Sequence, residues 1–389
     1  MLDLLERALS LVDRVRLERR LVEMVDIYSP PRGEEGILAY LERWLEAHGL
    51  AYRRQAVEGG HYNLLVRLGQ GEPAFCLMGH VDTIFLRHMD DHRARQTDGR
   101  IAGLGSADMK SGVAAMLEAF LVLKQAGYPD DGPGLLLAML VDEEEGGTGS
   151  QTFVDAGPPP EMVMIGEPTD MRMAWQHYGY CELALHTNGE RVHSAIPEYG
   201  HNAIWTMMDL VRELDQLNAP DGWEENARWM VFTLRELVGE NADFTVPETC
   251  RAEVDFHLHP KVDVDAFCAR VDRTLAAFEA SHPKLGVRGE WKMRFAGFAL
   301  SPKEPLMQLT ERAFESVEMS SSRDIFRSHS DANILVARGS RCVIVGPGAL
   351  GTAHTVHEYV DTDELFAAAR FYVAALLHYA HASTSSQKF

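Results

Sequence analysis

The sequence predicts an α/β protein: a mostly parallel sheet flanked by helices, interrupted by a smaller α+β insertion of ferredoxin-like order. Three observations carry that expectation. Up to about residue 175, helical and strand patterns alternate, and the strands are short, almost continuously apolar runs, which suits a sheet covered on both faces. Between 179 and 290 the rhythm changes to β-α-β-β-α-β, the split ferredoxin-like pattern. After that stretch the first rhythm resumes. The expected domains are therefore 1–178 with 291–389, and 179–290 as the insertion.

Each element has its own signal. Two amphipathic helices open the chain, the first in "MLDLLERALSLVDRVRLERRLVEMV" and the second in "GEEGILAYLERWLEAHG". The runs "NLLVRL", "AFCLMG", "LLLAMLV" and "MVMIG" read as buried strands. The helix "KSGVAAMLEAFLVLKQAG" lies between the second and third and stops at a glycine. The insertion reads as strand "CELALHT", helix "HNAIWTMMDLVRELDQL", strands "ARWMVFTLREL" and "RAEVDFHLHP", helix "VDAFCARVDRTLAAFEASH" and strand "GVRGEWKMRFAG". Helices "PLMQLTERAFESV" and "SDANILVARG", strand "RCVIVG" and helix "DELFAAARFYVAALLHYA" complete the outer domain. The tail "HASTSSQKF" reads as a frayed end.

Composition narrows the function classes. A formal charge of −21 argues against a nucleic-acid partner, which needs a basic face. No stretch is long and apolar enough to cross a membrane, and the N-terminus lacks the apolar core of a signal peptide. Cys76, Cys181, Cys250, Cys268 and Cys342 are scattered and show no CxxC spacing. They fit reduced thiols and a cytoplasmic location, not a disulfide framework or a cysteine zinc site.

The chemistry gathers where the apolar runs end. "AFCLMG" leads into His80-Val81-Asp82, "LLLAMLV" into Asp142-Glu143-Glu144-Glu145, "MVMIG" into Glu167, and "RCVIVGPG" through a glycine-rich loop to His354. "GLGSADMKSG" places Asp108 just before a helix. In open α/β sheets functional groups collect beyond the carboxyl ends of the strands. Two histidines and three carboxylates suffice for two divalent ions, with Asp108 bridging, His80 and Glu167 on one, and His354 with a glutamate of the acidic run on the other. Three carboxylates against two dications leave one positive charge, which a bridging hydroxide neutralises. Imidazole and carboxylate without thiolate suit zinc, and also cobalt or manganese. Asp82, two residues beyond His80 on an extended backbone, is placed to accept the other ring N–H of that histidine. A carboxylate left over from the acidic run is available as general base; the run alone does not say which residue is base and which is ligand.

With these residues in place, the chain resembles the dinuclear zinc hydrolases that include aminoacylase, acetylornithine deacetylase, succinyl-diaminopimelate desuccinylase and bacterial glutamate carboxypeptidase. The matching segments are "GHVDT", "GLGSADMKSG", "DEEEGGTGS", "GEPTD", "VHSAIPEYGHNAI" and "GPGALGTAHTVHEYV", in family order over nearly the whole chain. The resemblance implies a zinc-peptidase-like fold and an amide or peptide bond of a small substrate, an N-acyl amino acid or short peptide. It assigns Glu143 as base, Glu144 as ligand, and His354 over its neighbour His357. It makes the insertion a lid and dimerisation domain of a homodimer, with His193 reaching the partner's active site to help polarise the scissile carbonyl.

The pattern departs from the family in one place. Many relatives carry an Asn three residues before the lid proline and an Arg ten residues after it, both gripping a substrate carboxylate. Around Pro247 this chain has Phe244 and His257 there, which leaves Arg323 or Arg327 as alternative grips, or no acidic handle at all. His61, His177 and His186 read as structural histidines.

Overall fold

The computed structural model describes residues 2–87, 91–223, 228–240, 244–282 and 285–384. The chain divides into two compact units: residues 1–175, 300–326 and 330–389 form the first, residues 176–299 and 327–329 the second.

The first unit opens with α1 (Leu2–Ser10), α2 (Arg14–Val25) and α3 (Glu35–Ala47). The opening amphipathic run is thus two helices rather than one. Asp13 breaks it, because its side chain accepts the Arg16 N–H at 3.1 Å and caps α2. Next come β1 (Tyr52–Ala56), β2 (Tyr62–Leu68), β3 (Gln70–His80), β4 (Arg95–Thr97) and β5 (Arg100–Ala102). They are followed by α4 (Lys110–Gln125), β6 (Pro133–Leu140), α5 (Thr148–Asp155), β7 (Met162–Ile165) and β8 (Met173–His177).

The second unit carries β9 (Gly179–Asn188), α6 (Ala203–Asp215), β10 (Met230–Glu240), β11 (Thr249–Leu258), α7 (Val264–Ser281), β12 (Val287–Phe295) and the two-residue β13 (Phe298–Ala299). Its antiparallel sheet has the order β10-β11-β9-β12, the arrangement a split β-α-β-β-α-β chain produces. Leu183, Leu185, Val254 and Phe256 on one sheet face pack with Met207 and Leu210 of α6 and Phe267 and Val271 of α7. β12 runs through residue 290, the expected edge of the insertion, and stays with this unit to its end.

The chain then returns to the first unit with α8 (Pro305–Ser316), β14 (Arg323–Phe326), α9 (Ala332–Ala337), β15 (Arg341–Ile344), β16 (Tyr359–Asp361) and α10 (Thr362–Thr384). The tail expected to fray is helical through Thr384, and residues 385–389 lie outside the described residues. The large sheet runs β1-β2-β6-β3-β7-β15-β8. Its centre, β6-β3-β7-β15, is parallel, while β1, β2 and β8 are antiparallel additions at the two sides. α4 is buried from Lys110 to Leu123 and packs against α10, which explains why its sequence is apolar nearly all round. A small sheet, β16-β5-β4, ties the residues after His354 to those before Asp108.

Candidate metal centre

The parallel centre of the sheet brings its polar strand ends to one rim. His80 closes β3, the Asp142–Glu145 run follows β6, Glu167 follows β7, and His354 comes from the loop after β15. Close packing there depends on glycine. A Cβ on Gly112 or on Gly346 would overlap the carbonyl oxygen of Gly166, the residue before Glu167.

Five expected ligands converge within this unit. His80 Nε2 lies 3.2 Å from Asp108 Oδ1 and 3.7 Å from Glu167 Oε1. His354 Nε2 lies 3.3 Å from Asp108 Oδ2 and 3.1 Å from Glu144 Oε2. Asp108 thus stands between the two imidazoles with one oxygen toward each. Ligand atoms of His80, Asp108 and Glu144 all fall within 4.8 Å of one another. Glu143 Oε2 is 3.9 Å from His80 Nε2, at the edge of the group. His354 has a φ of 61°, a left-handed backbone uncommon outside glycine. His357 is exposed, and its backbone N–H donates to Thr355 Oγ1.

Asp82 is buried behind His80, and the contact differs in detail from the sequence expectation. His80 Nδ1 donates to the main-chain oxygen of Asp82 at 3.1 Å, with carboxylate Oδ1 farther off at 3.5 Å. Carboxylate Oδ2 instead accepts the backbone N–H of Glu144 at 3.0 Å. The outcome for the ring is the same: Nδ1 carries the proton and Nε2 faces the carboxylates.

Burial and mutual repulsion set the electrostatics of the cluster. Burial drives Glu144 up to about 7 and is only partly offset by its bond to His354. Burial also lifts Glu143 to about 7, against the pull of His80 and His354. Glu167 is pushed well above its ordinary value by burial and by the charges of Asp108 and Glu143. Burial disfavours a charged His354, yet its bonds to Asp108 and Glu144 hold it at about 11. His80 is likewise held high against burial, by Glu167, Asp108 and Asp82. Among the described residues no lysine or arginine forms an ion pair with Asp108, Glu144 or Glu167. Cations among these groups would relieve the repulsion between the carboxylates. The donor set, two Nε2 atoms and three carboxylates, fits two divalent ions.

Of the remaining expected residues, His193, Phe244, His257 and Arg327 lie in the second unit and Arg323 in the first. His193 is exposed, and its Nδ1 accepts the Ala195 N–H at 3.1 Å, which leaves the proton on Nε2. Phe244 is 86 % exposed. His257 lies on β11 beside the Tyr180 ring, and burial, with the charges of His329 and Arg235, lowers it to about 4. It is a neutral imidazole, unlike the permanent charge of an arginine. Of the two alternative grips, Arg323 is engaged by Glu311 at 2.8 Å, and Arg327 is exposed. All five cysteines are buried free thiols, and no helix among the described residues is long and apolar enough to cross a membrane. Glu358 is a further buried carboxylate, behind Asp108, whose only sequence signal is a charge just before the short strand β16.

Comparison with solved structures finds the same fold at low identity. A tripeptidase from Staphylococcus aureus superposes with a TM-score of 0.77 at 20 % identity, covering 95 % of this chain and 100 % of that one. Human carnosine dipeptidase 1 superposes at 0.77 and 14 %, covering 97 % and 100 %. A dinuclear metal-binding peptidase of the M20 family from Bacillus subtilis superposes at 0.68 and 10 %, covering 94 % and 99 %. The sequence profile described as peptidase family M20/M25/M40 matches residues 76–378, which takes in every residue of the centre. The chain belongs to this peptidase family and is a metal-dependent hydrolase of peptide or amide C–N bonds.

Proposed function

We propose that the protein hydrolyses the amide bond of a small substrate, an N-acyl amino acid or a short peptide, with Glu143 as general base. The observation that carries this reading is Asp108 standing between His80 and His354, with Glu144, Glu167 and Glu143 around them. His80 and Glu167 would hold one ion, Glu144 and His354 the other, with Asp108 placed to serve both. When bound, two divalent ions, zinc by donor chemistry with cobalt or manganese also accommodated, would supply a Lewis acid for the scissile carbonyl and a more acidic water. Glu143 takes a proton from the attacking water on its carboxylate and returns it to the leaving amine nitrogen. His193, with its proton on Nε2, donates to the carbonyl oxygen as negative charge builds there.

The same reading makes the protein a cytoplasmic homodimer joined through the second unit, with His193 of one protomer serving the centre of its partner and lid closure excluding water. Its support is the surface that unit leaves uncovered: edge strand β10 with Leu234 and Leu237, and Trp205 on α6, 61 % exposed. A neutral His257 and an exposed Phe244 favour a substrate that is not gripped by a lid arginine.

The test is release of free amine from a panel of N-acyl amino acids and dipeptides, with zinc, cobalt or manganese, against Glu143→Ala. Turnover should fall by roughly 10²–10⁴ in the variant while metal content stays unchanged. Equal turnover in the variant would remove Glu143 from the reaction.

A further inference from the structure

We infer that Glu358 is a positioning residue of the metal centre: its carboxylate fixes the main chain of Asp108 and so sets the spacing of the two ion-binding halves. The inference rests on the metal-centre reading above.

Glu358 is 2 % exposed and lies four residues beyond His354. Its Oε1 accepts two main-chain N–H groups, from Ala107 at 2.9 Å and Asp108 at 3.0 Å. Its own carbonyl oxygen accepts the Gly103 N–H at 3.2 Å, and the next residue, Tyr359, pairs with Ala102 in the small sheet. The segment entering Asp108 is therefore held from one side by both the main chain and the side chain of a single residue. That residue belongs to the same loop as His354.

Asp108 is the member of the centre least able to tolerate a shift. Its two oxygens point to different imidazoles, Oδ1 to His80 at 3.2 Å and Oδ2 to His354 at 3.3 Å. Moving its Cα changes both halves at once, whereas moving Glu167 or Glu144 changes one. Two main-chain N–H groups converging on one buried oxygen fix this turn by position, so Oε1 is a firm anchor for it. Glu358 reaches the chemistry only through Asp108 and makes no claim on the substrate.

A residue that merely stabilised the loop would lower the melting temperature without changing how tightly the folded protein holds zinc. The experiment therefore measures zinc affinity directly. Zinc is titrated into metal-free wild type, Glu358→Ala and Glu358→Gln in competition with a chromophoric chelator, well below the melting temperature of each. Glu358→Ala should bind zinc about 10–100-fold more weakly, the usual cost of losing a group that orients a ligand. Glu358→Gln keeps an oxygen for the two N–H groups and should retain near-wild-type affinity. Unchanged affinity in Glu358→Ala overturns the inference. Equal weakening in Glu358→Gln overturns it as well, because charge and not the fixed acceptor would then matter. Where Glu358→Ala does not fold, Glu358→Asp, which draws the oxygen back by one methylene, gives the same readout. A wild type that takes up no divalent ion overturns the metal-centre reading itself, a result distinct from the others.

Discussion

The backbone N–H of Glu144 donates to Oδ2 of Asp82 at 3.0 Å, joining the exit of β6 to the exit of β3. Asp82 also receives His80 Nδ1 on its main-chain oxygen at 3.1 Å. One residue thus orients a histidine of one half-site and the backbone of a glutamate of the other. Replacing Asp82 by Ala should cost about 10–100-fold in metal affinity or in kcat/KM. Asp82→Asn keeps an acceptor for the Glu144 N–H and should recover part of that loss. Chelator competition and steady-state kinetics on the two variants check this, and identical losses would show that the bond to Glu144 has no part in it.

His354 and His357 are three residues apart, yet only His354 reaches Glu144 and Asp108. Elemental analysis of His354→Ala should show one equivalent of metal lost, with turnover reduced to background. His357→Ala should match wild type in both. Metal loss in the His357 variant would reassign the ligand.

His193→Ala removes a donor without touching the ion-binding group, so kcat should fall by about 10²–10³ while metal content holds. If the histidine serves a neighbouring protomer, mixing His193→Ala with Glu143→Ala should restore activity through hybrid dimers. Fully active monomers on dilution would rule that arrangement out.

Acid stability should depend on His177. Burial, with the charges of His329 and His257, holds it at about 3, below its ordinary 6.5, although its bond to the Tyr178 carbonyl works the other way. Between those values the unfolded chain takes up a proton that the folded chain refuses. Stability should therefore be complete above about pH 6.5 and fall as the pH drops toward 3. His257, lowered to about 4, adds a similar dependence. Urea midpoints measured from pH 7 to pH 4 should fall less steeply for His177→Gln than for wild type, whatever the variant loses in absolute stability with the Phe298 stacking. Parallel slopes would mean that His177 is protonated in the folded state.

The alternation of strands and helices, the insertion between them, and the polar residues of the rim are all legible in the amino-acid order. These are local or periodic properties: an apolar run followed by His80, Glu144 or Glu167 is visible without knowing the neighbours, and parallel pairing then gathers such ends on one side. The chain's own departures, Phe244 and His257, were visible in the same way.

Contacts between distant segments emerge only once the chain has folded. Whether His354 or His357 turns inward depends on a left-handed backbone at His354 that its neighbours do not announce. Asp82 orients His80 through a carbonyl group, which every residue possesses and no pattern marks. Glu358 looks like a solvated charge until the small sheet lays it against Asp108, some 250 positions away in the chain. Glu118 is similar: it sits in an apolar helix, and only packing reveals that Arg16 and Arg20, about a hundred residues earlier, neutralise it. A buried polar group needs a partner at hydrogen-bonding distance. Composition fixes that need, and chain closure chooses the partner.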